Sequence, residues 1–466
     1  KSILRGCRKQ LIDDGRLTLG IVGIQYPERG MSDENLQKQC AKYISADIEA
    51  AETLACPVAE TFKDSITGQT LRSDLVEAAR REEMEYFVAK RVYQKVPREE
   101  AIKLQGKVPI TVKWVDVNKG DDEKPKYRSR LVAREVRRAW EQTVFSPTPP
   151  LEALRSVLCL AASNVPGRPK HVRDPSSERR TQISVIDIKR AYFNAKTDDE
   201  HPTFVELPPE DPDFGRGLCG KLLVHMYGTR RAGLGWHDEF SDHLIDMGFT
   251  KGDASTCVFH HEGKNLVTSV YGDDFTSTGA KEDLDWFKRE LADKYDLEET
   301  ARLGPGPEDG KQGYILNRVI RWTSDGLEYE ADPRQAEKLV QDLKLDGGKG
   351  VGTPGVKLST EQVLNDQKLP SDKETPFRAV AARSNYLAAD RPECQYAAKE
   401  ICRWMSAPTE AGLVALKRLG RFIGDHRRLV YKYPWQEVTH VDVYSDTDWA
   451  GCPRTRKSTN GGCLVL

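Results

Sequence analysis

Two adjacent carboxylates, Asp273 and Asp274, sit between Leu266-Val267-Thr268-Ser269-Val270 and Phe275-Thr276-Ser277-Thr278, two runs that read as strands. A hairpin tip built from Tyr271-Gly272-Asp273-Asp274 would hold both Asp side chains where they could share divalent cations. Mg²⁺ prefers oxygen ligands and is usually held by one or two carboxylates plus substrate phosphates. Two such ions can clamp the attacking and leaving oxygens of an in-line phosphoryl displacement. An Asp pair in a turn is also ordinary, because Asp side chains hydrogen-bond nearby backbone. The chemistry therefore requires a third carboxylate and a surface for a polyanion.

Asp187 supplies the candidate third carboxylate. It stands at the end of the apolar run Ile183-Ser184-Val185-Ile186-Asp187-Ile188, where a buried Asp is costly unless paired or metal-bound. The plainer alternative is an Asp that caps the next turn. Tyr192 follows five residues later. An aromatic there could pack under the sugar of a nucleotide and crowd out a 2′-hydroxyl, or it could be a core side chain. Net charge is only −1, yet residues 86–140 carry 15 Lys and Arg against 7 Asp and Glu. A local basic patch can make phosphate contacts in a neutral chain, although a solvated charged face would look the same.

The elements that must position these groups can be read in outline. Residues 73–93 have helical spacing with Ser73 as N-cap. Two alternating stretches around a charged turn at 119–122 form a hairpin with cations on its return strand. Leu151, Leu154, Leu158 and Ala162 lie on one helical face. Residues 164–182 and 207–220 read as loops, and 229–247 and 281–294 as helices. Asp332-Pro333 reads as an N-cap and first helical residue. After a polar linker at 358–374, helices fill 377–424 and a strand pair fills 439–466. Residues 1–70 show no chemical constellation, with one helix expected at 31–51.

At 466 residues the chain has room for two to four domains. No apolar run is long enough to span a membrane. Ten Cys without a Cys-x-x-Cys pair argue for reduced thiols and against a zinc site, and the pair His260-His261 reads as structural. The first residue is not Met and the last residues form an apolar run, so both ends read as cuts through a longer polypeptide.

Taken in order, the motifs resemble the reverse transcriptase of copia-type retrotransposons. Glu77-Ala78 and Glu82-Glu83-Met84 are similar to its opening helix. Val112-Lys113-Trp114-Val115 with Lys126-Tyr127-Arg128-Ser129-Arg130-Leu131-Val132-Ala133 is similar to its fingers hairpin. Asp187-Ile188-Lys189-Arg190-Ala191-Tyr192-Phe193-Asn194 resembles the first catalytic motif, and Phe204-Val205-Glu206-Leu207-Pro208-Pro209 the segment after it. Met226-Tyr227-Gly228-Thr229-Arg230-Arg231-Ala232 with Trp236 resembles the template-side motif, and Tyr271-Gly272-Asp273-Asp274 the metal-binding motif. Gly352-Thr353-Pro354 resembles the end of that module, and Asn385-Tyr386-Leu387-Ala388 with Arg391-Pro392-Glu393 the helical connection. Tyr444-Ser445-Asp446-Thr447-Asp448-Trp449 resembles the start of the RNase H domain.

The resemblance implies an α+β right-hand polymerase of fingers, palm and thumb. A helical connection and the first strands of a truncated RNase H-like domain would follow. The expected divisions are a polar leader (1–70), the reverse transcriptase (71–357), linker and connection helices (358–438) and partial RNase H (439–466). Asp187, Asp273 and Asp274 would be catalytic and hold two Mg²⁺, with Mn²⁺ as a substitute. Lys126, Arg128, Arg130, Tyr192 and Arg231 would bind the nucleotide, with Tyr192 as sugar gate. Asp446 would be one RNase H metal ligand, and without its later partners no RNA degradation is expected. The implied partners are an RNA template, a DNA or RNA primer, deoxynucleoside triphosphates and other Pol segments, with no membrane. The implied setting is a cytoplasmic virus-like particle with nuclear entry.

Three positions depart from the family pattern. Gly272 replaces a usual Val, which should loosen the strand and gives the Gly-Asp-Asp of RNA-directed RNA polymerases. Arg231 replaces Gln and Gly233 replaces Pro in the template-side motif. The alternatives are therefore a degenerate nucleic-acid-binding copy without catalysis and, less favoured because of Tyr192, an RNA-directed RNA polymerase.

Overall fold

The computed structural model describes residues 61–136, 144–198, 200–355, 359, 361–362, 365–452 and 455–466. The helix expected at 31–51 lies outside the described residues. The chain divides into two compact units. One contains 61–79 and 116–129, and the other 80–115 and 130–466.

In the first unit Asp64 organises a small loop. Its carboxylate accepts from the backbone N–H groups of Ile66, Thr67 and Asn118, each at 2.8 Å. These backbone donors, that of Thr67 foremost, hold the carboxyl below its usual range. The Asn118 side chain closes the charged turn by accepting from Gly120 and Lys126 N–H.

The second unit is built on a six-stranded sheet. Its strands are β1 (Thr181–Ile188), β2 (Thr250–Lys251), β3 (Val258–His261), β4 (Leu266–Tyr271), β5 (Asp274–Ala280) and β6 (Leu297–Leu303). The order is β6-β1-β5-β4-β3-β2, with every neighbouring pair antiparallel. The alternation of β1 explains its burial on both faces. Ile183 and Val185 join a core with Leu154 and Leu158 of α1 (Leu151–Ala162). Ile186 and Ile188 point the other way, into a core with Phe240 of α2 (Ala232–Asp246) and with Leu284 and Phe287 of α3 (Lys281–Lys294). Each fully buried Ile or Phe contributes about 1.5–3 kcal/mol relative to exposure. Asp187 thus falls on the α1 face, at the end of its strand.

Beside this sheet, strands Tyr93–Pro97, Leu218–Leu222 and Phe204–Glu206 form a three-stranded sheet. Leu222 and Val205 from it share a core with Phe87, Leu131 and Phe193. Leu218–Leu222 corrects the loop expected at 207–220, and the strand β1 begins at Thr181, inside the loop expected to reach 182. A four-stranded sheet follows, from Gln312–Ile315, Arg318–Trp322, Gly326–Glu330 and Val430–Pro434. Its last two strands are neighbours, so the helices between them are an insertion in a sheet.

Those helices are Pro333–Asp342, Ser371–Ala388, Pro392–Cys402 and Glu410–Asp425, packed around Leu339, Phe377, Ala398 and Leu416. The first is started by Asp332, whose carboxylate accepts from Arg334 N–H at 3.1 Å, with Pro333 at the first position. The second begins at Ser371, inside the expected linker. A buried charge cluster fastens this bundle to the sheets. Asp390 pairs with Arg318 at 2.8 Å and with Arg155 of α1 at 3.3 Å, and accepts from the Tyr329 hydroxyl. The last elements, Asp442–Thr447 and Asn460–Val465, form an antiparallel pair.

No described helix is long and apolar enough to cross a membrane. The described cysteines are free thiols.

Candidate active site

β4 and β5 are joined by a two-residue turn, with Tyr271 opposite Asp274. Gly272 takes a positive φ of 66°, whereas Asp273 does not. This is the pattern of a type II′ hairpin turn, which favours Gly at its first central position. Gly272 therefore fits the turn, and the loosening expected for a strand Gly does not apply because the residue lies between the strands.

Register then brings the third carboxylate in. Asp274 of β5 stands directly opposite Asp187 of β1. Directly opposed residues of an antiparallel pair share one face, and like charges there repel. The Ile188 N–H donates to the Asp273 carbonyl at 2.9 Å, tying the turn to the same strand end. Burial, then the charges of Asp273 and Asp187, push the Asp274 carboxyl up to about 7. On its other side Asp187 faces Glu298 of β6, an exposed carboxylate that sequence reasoning missed. Only register could have revealed it.

Past Asp187 the chain turns sharply. Arg190 has a left-handed φ of 50° and starts the short helix Ala191–Asn194. Its guanidinium pairs with the buried Glu83 at 3.0 Å and lies 3.9 Å from the Tyr86 ring centre. Sequence reasoning did not single out this ion pair. An Arg so close to the motif was its only signal, because Glu83 stands in a helix rich in charged residues.

The turn delivers Tyr192, half-buried and 4.8 Å from Tyr227 between ring centres. Burial raises the Tyr192 hydroxyl above its usual range. The Asp273 charge adds to that rise and the Arg130 charge opposes it. Arg130 lies 4.9 Å from the Tyr227 ring centre. The structure thus gathers Asp187, Asp273, Asp274, Tyr192, Tyr227 and Arg130 into one neighbourhood.

The remaining candidates are Lys126, Arg128, Arg231 and Asp446. Lys126 is exposed and Arg128 half-buried, and both belong to the first unit. Arg231 is exposed at the start of α2 and lines a cleft of about 660 Å³ with Asn194, Asp198, His225 and Lys294. None of the three aspartates lines that cleft. Burial, and then the Arg231 charge, hold the His225 imidazole below its usual range. Asp446 is exposed on Asp442–Thr447, opposite Gly461.

The chemistry of the donor set suits a hard cation. Three carboxylates crowd two adjacent strand ends, and the Asp274 carboxyl, raised by burial and then by its two neighbours' charges, is one that a divalent ion would help to ionise. Among the described residues, the group whose ligand atoms already converge within 4.8 Å is a different one, the exposed Asp198, Glu200 and His201.

Comparison with known proteins agrees with the motifs. Residues 100–305 match the family described as Reverse transcriptase (RNA-dependent DNA polymerase). Over 371 residues the chain is 26% identical to the Retrovirus-related Pol polyprotein from transposon RE1 of Arabidopsis thaliana. A second Pol polyprotein of that plant, from transposon RE2, is 25% identical over 378 residues. Each alignment covers 77% of this chain and 23% of the relative, so the chain spans about a quarter of their length. An uncharacterized mitochondrial protein of the same plant, AtMg00810, is 28% identical over 201 residues, 42% of this chain and 77% of its own. By its motifs and these matches, the chain is similar to the reverse transcriptase family over residues 100–305 and to part of two retrotransposon Pol polyproteins.

Proposed function

We propose that this chain is an RNA-directed DNA polymerase that adds deoxynucleotides to a primer 3′-hydroxyl on an RNA template. The observation that carries the reading is the register of β1 against β5, which sets Asp187 beside the Asp273-Asp274 turn. In hand terms the fingers lie near residues 86–145, the palm is the six-stranded sheet with its helices, and the inserted helices form thumb and connection. The pair 442–447 and 460–465, with Asp446, opens an RNase H-like domain.

Asp187, Asp273 and Asp274 are the residues that would hold two Mg²⁺. Bound there, the ions would acidify the primer hydroxyl and offset the charge of the triphosphate and departing pyrophosphate. The chain itself contributes positioning and countercharge. Arg130 offers a guanidinium suited to bidentate phosphate contact, with Arg128 and Lys126 as further cations. Tyr192 lies within electrostatic reach of Asp273, and its ring would underlie the sugar and exclude a 2′-hydroxyl. The type II′ turn accounts for Gly272 without recourse to ribonucleotide chemistry.

Primer extension on an RNA template with deoxy- or ribonucleotides tests the reading. Extension with deoxynucleotides supports it, and a preference for ribonucleotides moves the assignment to an RNA polymerase. Tight template–primer binding without extension in Mg²⁺ or Mn²⁺ leaves a binding protein only.

A further inference from the structure

Gly272 and Asp273 pose a problem of restraint. Among the described residues, a Cβ at Gly272 would meet nothing within 4 Å beyond its chain neighbours, so that side of the turn is open. Glycine also has the widest choice of backbone angles. Yet Asp273 must present its carboxylate beside Asp187 and Asp274. Two hydrogen bonds supply the restraint, one on each side of Asp273. The peptide after it is held by Ile188 N–H. The peptide before it is held by Trp236, whose indole Nε1–H donates to the Gly272 carbonyl at 2.8 Å.

Trp236 is well placed to act as a rigid post. It is 1% exposed, on α2, with its ring 5.5 Å from Phe240 and 5.3 Å from Tyr295 between centres. An indole nitrogen only donates, so its proton has one use. With both peptides flanking Asp273 fixed, the direction of its Cα–Cβ bond is fixed too.

Resting on the metal-site reading above, we propose that Trp236 is a positioning residue that sets the Asp273 carboxylate for cation binding by fixing the Gly272 peptide. The bland alternative is a core Trp whose N–H merely found an acceptor, in which case the turn would keep its geometry without it.

The test uses the whole chain, metal-free at the start. Trp236→Phe removes the donor and keeps an aromatic ring. Phe240→Leu trims the core against Trp236 and Phe275 but keeps the indole donor and the Gly272 acceptor. Hydrogen exchange of the peptide spanning 269–276 and calorimetric Mn²⁺ binding are then compared. A net hydrogen bond of about 0.5–1.5 kcal/mol predicts up to about tenfold faster exchange and tenfold weaker Mn²⁺ binding in Trp236→Phe. Phe240→Leu should change neither beyond its loss of global stability. Should Trp236→Phe fail to fold, a benzothienylalanine at 236, with sulfur in place of N–H, should give the same two effects. Wild-type exchange and affinity without the donor, or equal effects from Phe240→Leu, would overturn the proposal. Absence of Mn²⁺ binding in the wild type overturns the metal-site reading, and hairpin exchange still decides whether Trp236 holds the turn.

Discussion

Replacing Asp274 by Asn should make the metal-free protein more stable at pH 8. The side chain keeps its size and loses a charge that faces two others. In the fold the carboxyl is pushed from 3.8 up to about 7, chiefly by burial. A group whose folded pKa is raised keeps its proton in the fold after losing it in the unfolded chain. Stability therefore falls as pH rises from about 4 to about 7 and levels off above. A shift of this size sets a ceiling of about 4 kcal/mol. Because the side chain is only half-buried, screening brings the expected gain for Asp274→Asn nearer about 1–2 kcal/mol. Urea unfolding midpoints in EDTA, for both proteins at half-unit steps from pH 4 to 8.5, give the difference directly. The difference should be near zero at pH 4, grow through the window and plateau above pH 7. Adding Mg²⁺ at pH 8 should stabilise the wild type by mass action and the variant less. A difference that is flat across pH, or a variant less stable at pH 8 in EDTA, would refute the placement of Asp274 in a half-buried site beside other carboxylates.

Gly272→Val restores the residue usual in the resembling family but must adopt φ near 66°. A β-branched side chain there should cost about 1–3 kcal/mol, read from the unfolding midpoint, and an unchanged midpoint would count against the type II′ turn. Tyr192→Ala should raise the ratio of ribo- to deoxynucleotide incorporation several-fold. An unchanged ratio would remove Tyr192 as the sugar gate.

The parts that could be read from sequence were those whose signal is local. Asp332 and Pro333 announced a helix start, and the two runs flanking Tyr271 to Asp274 announced a hairpin, because caps and turns are set by neighbouring residues. Leu218–Leu222 was hidden by composition. Its Gly220 reads as loop but faces Tyr93, whose ring carbon would lie 2.8 Å from an added Cβ, so the small residue is a packing choice within a strand. The sheet at 312–330 was not read, and its closing strand returns from residue 430, which no local pattern reveals. The same limit applies to the site. Residue types suggested Asp187, Asp273 and Asp274, but the opposition of Asp187 to Asp274 and Glu298 depends on register between distant strands. Motif position likewise grouped Arg231 with Arg130 and Tyr192, whereas in the fold it lines a cleft that includes none of Asp187, Asp273 and Asp274.

The most direct test is the single-turnover rate of deoxynucleotide addition to a DNA primer on an RNA template in Mg²⁺, for wild type and Asp273→Asn. The account predicts extension by the wild type and at least a hundredfold slower addition by the variant, roughly 3 kcal/mol of lost transition-state stabilisation, with template–primer affinity unchanged. Equal rates in the two proteins, or a folded wild type that binds template–primer and adds nothing, would contradict it.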